Sequence, residues 1–263
     1  DYFFTISGSG VTLYDHGTHM PLLWTHLIPA TLEGQAAHNV QNAMFAAAMA
    51  HAMGVSLEAI RQGLRTFDAT FFQAPGRMNV HDKHGFKVIL DYGHNEAAVD
   101  AMCTLIDNLV ANGNVRSGTT RRVVLAAPGD RRDEDIRAVA ARAAKSFDMF
   151  YVRPDDNRRG RADDEIPGIL ADGLLASGIS ADAIERFTDE TTAVDSALAA
   201  CKPGDLLLVF GDNTTRCWKQ IIYFGGGRPE PVAAKVPEPA PVAEDLQDQK
   251  LAAGFSKDSR GVF

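Results

Sequence analysis

The chain has 263 residues, of which 45% are hydrophobic and 23% are charged, so it can bury a core and suits one large or two modest globular domains. A formal net charge of −8 argues against a nucleic-acid binder held by phosphate contacts. No apolar run reaches the length of a membrane span, and the first residues lack the pattern of a signal peptide. The three widely spaced cysteines indicate neither a disulfide framework nor a metal site, and we expect a cytoplasmic protein.

The first part of the chain is predicted to form strands followed by a pair of helices. Residues 1–28 alternate apolar and polar groups, which indicates a β-hairpin or two and another short strand. Helical spacing follows from His38, and Ser56 can cap a second helix that ends near Phe67. Because Asp1 stands where a methionine is usual and a strand-like run follows at once, we expect the sequence to begin inside a larger protein.

Pro75-Gly76 is expected to be the hinge to a second domain, residues 75–226. There, short apolar runs alternate with helical spacing, which predicts an α/β fold with a mainly parallel sheet, right-handed crossovers and helices on both faces. The predicted strands are 87–90, 122–126, 147–152, 184–187 and 206–210, and the predicted helices are 96–110, 133–146, 164–177, 190–201 and 214–222. Residues 227–263, rich in proline, alanine and glutamate, are predicted to be a disordered tail.

An acid, an imidazole and an amide follow the first strand of the second domain. Asp91 ends that strand, and His94 and Asn95 stand in the turn before the next helix. Because open α/β sheets bind ligands at the carboxyl ends of their strands, we expect these groups to face a crevice. Asp91 can accept hydrogen bonds from ribose hydroxyls, or it can cap the helix. His94 and Asn95, each taken alone, can equally be turn or cap residues.

Two later loops at the same edge of the predicted sheet are rich in arginine. In the first, Asp130 can cap a helix, and Arg131 or Arg132 can neutralise phosphate oxygens, although surface arginines are commonly only solvated. The second loop, residues 153–161, adds four arginines among carboxylates. A mobile surface loop explains this second loop equally well.

Polar residues also stand at the hinge and at the start of the first predicted helix. Arg77 can reach a ligand held between the two domains. His38 and Asn42 share one helix face, and Asn39 can cap that helix. The chain contains no G-x-x-x-x-G-K-[ST] sequence and so has no P-loop of its own. It also lacks the common dehydrogenase, hydrolase, zinc-protease and EF-hand patterns.

Taken in order, six segments resemble the rear part of the Mur ligase superfamily of ATP-dependent amide ligases, and within it the cyanophycin synthetase family most of all. The segments are His38-Asn39-x-x-Asn42, 57–67, 75–79, Asp91-Tyr92-Gly93-His94-Asn95, Pro128-Gly129-Asp130-Arg131-Arg132 and 204–210. Each is weak alone, and the ordered set is fairly specific. Gly93 and Glu96 depart from the family's usual Asp-Tyr-Ala-His-Asn-Pro run. Glycine is expected to loosen the turn, and glutamate suits the positive end of a helix dipole.

The resemblance implies that residues 1–74 are the end of a central ATPase domain and that residues 75–226 are a Rossmann-like C-terminal domain. It implies ATP contacts from His38, Asn39, Asn42, Arg77, Asp91, Asn95, Asp130 and Arg132. His38 and Asn42 would lie beside the adenine, whereas Arg77 would contact phosphate and Asp91 ribose. Catalytic roles are implied for Arg77, His94 and Arg131. No metal ligand is assigned, because the principal Mg²⁺ ligands are expected upstream of this chain.

In such ligases, ATP phosphorylates a carboxylate and an amine attacks the acyl phosphate to form an amide. The cyanophycin synthetase module joins arginine to the side-chain carboxylate of aspartate in a poly-aspartate backbone. The implied partners are ATP, an amino acid and a poly-aspartate-type substrate, without nucleic acid or membrane, in a homo-oligomer of the full-length protein. Without a P-loop, this chain is not expected to be active alone.

Two alternatives stay open at this point. Another Mur-type enzyme, such as a peptidoglycan-precursor or folylpolyglutamate ligase, would share the architecture but not the substrate. A noncatalytic α/β module would bind a nucleotide or a partner protein instead.

Overall fold

The computed structural model describes residues 2–7, 9–116, 118–226, 257–258 and 261–262. The chain begins with an antiparallel meander of three strands, β1 (Tyr2–Ser7), β2 (Gly10–Asp15) and β3 (Thr18–Trp24). In β2, Val11 and Leu13 are buried while their neighbours are partly exposed, as expected for a sheet with one covered face. The predicted strands at the start of the chain are confirmed.

Two helices, α1 (Ala37–Ala52) and α2 (Leu57–Thr66), cover the buried face of this meander and confirm the predicted helix pair. Ser56 caps α2, because its side-chain oxygen accepts a hydrogen bond from the Ala59 N–H at 3.3 Å. The predicted cap of α1 by Asn39 is wrong. That helix begins after Ala36 without a side-chain cap, and the Asn39 Nδ2 donates to the Ala30 carbonyl at 2.7 Å instead.

The predicted parallel sheet is confirmed and has one further strand. Its members are β4 (Asn79–His81), β5 (Lys87–Asp91), β6 (Arg121–Leu125), β7 (Met149–Val152), β8 (Ile184–Arg186) and β9 (Leu206–Phe210). They lie in the order β4-β5-β9-β6-β7-β8. Only β4 is antiparallel to its neighbour. With three residues, it is too short to give a recognisable alternation in the sequence.

Helices cover both faces of this sheet. On one face lie α3 (Glu96–Ala111), α4 (Asp133–Ala143) and α5 (Glu165–Ala176), and on the other lie α6 (Glu190–Ala200) and α7 (Thr214–Tyr223). The strand residues divide between the two cores by alternation. In β9, for example, Leu206 and Leu208 pack on the first face, and Leu207 packs on the second. All five residues of β9 are buried, which explains its uninterrupted apolar sequence.

The connection between the meander unit and the parallel sheet is tightly held. The buried side chain of Asn79 accepts a hydrogen bond from the Gly76 N–H at 2.7 Å and donates to the Ala74 carbonyl at 2.9 Å. Gly76 has a φ of +70°, and a Cβ added there would lie 2.4 Å from the Cγ2 of Thr214. The predicted hinge is therefore a fixed turn that requires glycine.

Residues 1–227 form one unit, and residues 228–263 form a second. In the second unit, β10 (Lys257–Asp258) and β11 (Gly261–Val262) pair antiparallel. The predicted disorder is therefore wrong for these four residues, and the remainder of the predicted tail lies outside the described residues. Within the described ranges, no helix combines the length and the apolar character needed to cross a bilayer.

Candidate functional site

A cavity of about 630 Å³ lies between α1, α2 and the segment that leads to the hinge, and we call it the helix-pair cavity. Most of its wall is alanine and other apolar side chains. The polar side chains that line it are Asn39, Asn42 and Arg77, and the Asn42 Nδ2 donates to the Asn39 Oδ1 at 3.1 Å. Three of the predicted ligand-binding residues are thus brought together. The volume and apolar lining are typical of a small-molecule site.

Two other predicted residues, His38 and Asp91, contact Met78 instead of lining this cavity. The Nε2 of His38 lies 2.9 Å from the Met78 sulfur. The Oδ2 of Asp91 accepts the Met78 N–H at 3.0 Å, and its Oδ1 accepts the Gly93 N–H at 2.7 Å. Asp91 is only 8% exposed. The expectation that it faces an open crevice is therefore wrong, and so is its alternative as a helix cap.

Burial is the largest influence on the pKa values of both Asp91 and His38. It raises the pKa of Asp91, although the Gly93 and Met78 N–H groups act in the opposite direction. It lowers the pKa of His38, against the influence of the Asp91 charge. Met78 itself is fully buried and has a φ of +50°. Because the main chain is held in this unfavourable conformation, the Asp91 carboxylate has a structural role at the hinge.

A second cavity, of about 320 Å³, lies at the carboxyl ends of β5 and β6, where α3 and α4 begin. We call it the strand-end pocket. Its polar wall includes His94, Asn95, Arg131 and Asp135. The amino ends of two helices are favourable surroundings for an anion. The structure therefore brings together three predicted residues from two loops that are more than 30 positions apart in the sequence.

The side chains of these three residues differ in the bonds that they already make within the protein. The Asn95 Oδ1 caps α3 by accepting the Ala98 N–H at 2.9 Å, so this residue has the capping role left open by the sequence. The His94 Nδ1 contacts the Tyr92 carbonyl at 3.2 Å. Arg131 is exposed and forms no ion pair with any residue that the structure describes. Arg131 is therefore the cation of this pocket that is available to a ligand.

Tyr92, which the sequence did not identify as a site residue, contacts one lining residue of each cavity. The guanidinium carbon of Arg77 lies 5.8 Å from the centre of its ring, and the His94 ring packs edge-on at 5.1 Å. Arg77 lines the helix-pair cavity and His94 lines the strand-end pocket. Gly93 next to them is buried, and an added Cβ would lie 2.9 Å from the Phe210 ring. This glycine therefore makes the turn tighter, contrary to the expectation that it loosens it.

Asp130 and Arg132 are engaged with other side chains. Asp130 forms an ion pair with Arg159 at 2.6 Å, which holds the pKa of its carboxyl below the usual value. Arg132 makes two bonds to Asp135, at 2.7 and 3.1 Å. The predicted cap of α4 by Asp130 is wrong, because the cap position is Arg132 and no side chain fills it. Their contacts with ATP remain predictions.

The arginine-rich loop 153–161 is extensively bonded. Arg161 donates to the carbonyls of Gly129 at 2.8 Å and Arg131 at 2.7 Å. Arg153 is completely buried among carboxylates. Burial alone would lower its pKa, but Asp212 and Glu190 outweigh this and the pKa is raised. The surface-loop alternative is wrong for Arg153, and the sequence carries no signal that distinguishes it from its exposed neighbours.

Among the described residues, no three histidine, cysteine, aspartate or glutamate side chains come close enough to hold a metal ion. Of the carboxylates near the two cavities, Asp91 accepts N–H groups, and Asp130 and Asp135 are paired with arginines. Glu96, which lines the strand-end pocket, forms no ion pair among the described residues and is a single carboxylate. The donor set described here therefore does not fit Mg²⁺, which prefers several free oxygen ligands.

Comparison with known proteins gives a family for this architecture. Residues 76–213 match the family described as Mur ligase, glutamate ligase domain. The cyanophycin synthetase of Crocosphaera subtropica is 37% identical over 189 residues, which are 72% of this chain and 21% of that protein. The cyanophycin synthetase of a Synechocystis species is 35% identical over 195 residues, 74% of this chain and 21% of that protein. The chain thus spans about a fifth of the length of these relatives.

Solved structures show the same fold. Escherichia coli FolC in complex with DHPP and ADP superimposes with a TM-score of 0.59 at 22% identity, over 84% of this chain and 45% of that chain. A bifunctional folylpolyglutamate synthase/dihydrofolate synthase with Mn, AMPPNP and L-glutamate bound gives 0.59 at 24% identity, over 84% and 46%. The match over residues 76–213 shows that the chain belongs to the Mur ligase family.

Proposed function

We propose that the chain is part of an ATP-dependent carboxylate–amine ligase of the cyanophycin synthetase type, which forms amide bonds through an acyl phosphate. The observation that carries this proposal is the strand-end pocket, where His94, Asn95 and Arg131 meet at two helix amino ends. Arg131 has no ion-pair partner in the part of the chain that the structure describes. An acyl phosphate and an amino acid both present oxyanions that such a site can bind. The similarity to cyanophycin synthetases supports arginine and an aspartate carboxylate as the reacting substrates.

The helix-pair cavity would hold the nucleoside part of ATP. Its apolar wall suits an adenine ring, and the amides of Asn39 and Asn42 offer donors and acceptors to the edge of the base. Arg77 at the same cavity would neutralise phosphate charge. The Tyr92 ring contacts both Arg77 and His94, and phosphates bound at Arg77 would point towards the strand-end pocket.

In the strand-end pocket, Arg131 would bind an oxyanion of the incoming amino acid or of the transferred phosphate. His94 would accept a proton from the attacking amine. Its Nδ1 lies against the Tyr92 carbonyl, so in the neutral ring Nδ1 carries the proton and Nε2 is the basic atom. Catalysis in this pocket then rests on charge neutralisation and on the positions of the reacting groups.

The phosphate cradle must come from residues outside this sequence, because the chain contains no P-loop. Mg²⁺ would likewise be held by residues other than those described here. When bound, it would neutralise phosphate charge. We therefore propose that these residues form one part of a composite ATP site and that synthesis requires the longer protein.

The test measures phosphate release from ATP by the complete natural protein, with arginine and a poly-aspartate primer each present or absent. We expect release to require both substrates. Arg131→Ala should lower kcat/KM for arginine roughly a hundredfold, because one charge-stabilising contact is lost. The matched control is Arg137→Ala, since Arg137 is exposed on α4 and does not line the pocket.

Phosphate release that does not depend on arginine but depends on another amino acid would assign a different Mur-type substrate. Binding of ATP without hydrolysis under every condition would favour a noncatalytic module.

A further inference from the structure

At the carboxyl ends of β7 and β9 lies a group of five charged side chains, of which Arg153 and Glu190 are buried. We call it the charge cluster, and its members are Asp156, Arg153, Glu190, Asp212 and Arg216. Arg153 is its centre and is 0% exposed. One terminal nitrogen donates to Asp212 at 2.7 Å and to the Pro154 carbonyl at 2.9 Å. The other donates to Glu190 at 2.8 Å and to the Phe210 carbonyl at 2.7 Å. A single guanidinium therefore joins the ends of β7 and β9 to the beginning of α6.

The carboxylates of the charge cluster extend these bonds to the main chain. Asp212 also accepts the Asp156 N–H at 2.8 Å, which fixes the loop after β7 against the loop after β9. Glu190 accepts the N–H groups of Asp212 at 2.6 Å and Asn213 at 3.3 Å. Arg216 donates both to Glu190 and to Asp156, the latter at 2.7 Å. The start of loop 153–161 thus has a fixed position relative to the sheet.

The other end of loop 153–161 holds the backbone that carries Arg131. Arg161 donates to the carbonyls of Gly129 and Arg131. A Cβ added to Gly129 would lie 2.1 Å from the Arg158 carbonyl oxygen, so the two loops are in direct contact. A displacement of loop 153–161 would therefore move Arg131, which lines the strand-end pocket.

Burial in ion pairs is weak evidence that Arg153 is present to stabilise the fold. Removing an ion from water costs several kcal/mol, and buried ion pairs are often replaced by apolar side chains without loss of stability. The Nε of Arg153 also has no hydrogen-bond partner among the described residues. What the planar guanidinium provides is a fixed direction for each of its bonds. It defines the relative position of two loops more closely than an apolar side chain can.

We propose that Arg153 is a positioning residue of the amide-forming reaction, which places Arg131 in the strand-end pocket through loop 153–161. This proposal rests on the proposed function. The test compares Arg153→Lys with Arg122→Lys in the complete natural protein. Arg122 is the matched control because it is also buried, at 7% exposed, and is bonded to Asp205. This pair lies at the amino ends of the strands of the same sheet, whereas Arg153 lies at their carboxyl ends.

We expect Arg153→Lys to raise KM for arginine roughly ten- to a hundredfold, as a small misplacement of a binding group does, with KM for ATP within about twofold of the wild type. Arg122→Lys should leave both constants unchanged, although each variant lowers the melting temperature. Arg161→Lys supplies a second case that does not disturb the charge cluster, and it should raise KM for arginine with little change in melting temperature.

Equal KM values for arginine in the wild type and Arg161→Lys would overturn the proposal, even if Arg153→Lys fails to fold. A parallel change of all constants in Arg153→Lys and Arg122→Lys would overturn it as well, because the effect would then be general destabilisation. A wild-type protein that shows no response to arginine contradicts the proposed function instead.

Discussion

Asp91→Asn should destabilise the protein, because the carboxylate is a structural acceptor at the hinge. Its two oxygens accept the N–H groups of Met78 at 3.0 Å and Gly93 at 2.7 Å, and the residue is 8% exposed. Asparagine offers one acceptor oxygen and one NH₂ group. One of the two main-chain N–H groups is therefore left facing another donor.

The magnitude follows from that lost bond. A buried donor without a partner costs about 1–3 kcal/mol. Relief from burying a charge offsets part of this, since burial raises the pKa of Asp91. We expect a net loss of about 1–2 kcal/mol in the free energy of unfolding, which corresponds to a fall of roughly 2–8 °C in melting temperature for a chain of this size.

Differential scanning calorimetry at neutral pH measures this change. Asp172→Asn is the control, because Asp172 is exposed on α5, and its melting temperature should stay close to that of the wild type.

The pH dependence of stability gives an independent check. Since the pKa of Asp91 is raised from its ordinary value of 3.8, the folded state binds its proton more tightly. The stability from this group is complete below pH 3.8 and is lost as pH rises through the folded-state pKa. Asp91→Asn should remove that decline. An unchanged melting temperature combined with weaker nucleotide binding would refute the structural role and make Asp91 a ligand contact.

Two further predictions concern the loops and the hinge. Gly129→Ala should destabilise the protein by more than about 1 kcal/mol, because its Cβ would lie 2.1 Å from the Arg158 carbonyl oxygen, whereas Gly63→Ala in α2, with no atom within 4 Å, should stabilise it by about 0.5–1 kcal/mol. Urea unfolding tests both, and equal effects would contradict the loop contact. For His38, burial lowers the pKa from 6.5, so the folded state binds this proton less readily than the unfolded chain. Stability should fall as pH decreases below 6.5 towards the folded-state pKa. His38→Gln should reduce this dependence in unfolding curves measured between pH 5 and 8, and an unaltered slope would show that His38 does not contribute.

The periodicity of the sequence was enough to predict most of the elements. Buried runs such as Leu206–Phe210 and the helical spacing from Glu96 onward depend on local burial, which repeats every two or 3.6 residues. Three short strands were not predicted. β4 has three residues and is held by pairing with β5, and β10 and β11 have two residues each and pair with one another. The strand order was not predictable, because it places β9 between β5 and β6 through contacts that are remote in sequence.

Part of the candidate site was likewise predictable from the sequence, and part was not. Motif order and the rule that ligands bind at strand ends led to His94, Asn95 and Arg131, which the structure places in one pocket. The burial of Asp91 was not predictable, because its partners Met78 and Gly93 meet only when the hinge turn closes over β5.

By itself, the sequence determined the α/β class, the positions of the strand-end loops and the residue types that stand in them. Only the tertiary structure decided which charges are free. Arg131 and Arg153 are chemically identical and both follow strands. Arg131 is exposed and has no ion pair within the described ranges, whereas Arg153 is completely buried between Asp212 and Glu190. The difference arises because desolvation and ion pairing depend on neighbours brought together by folding, and a linear sequence does not record those neighbours.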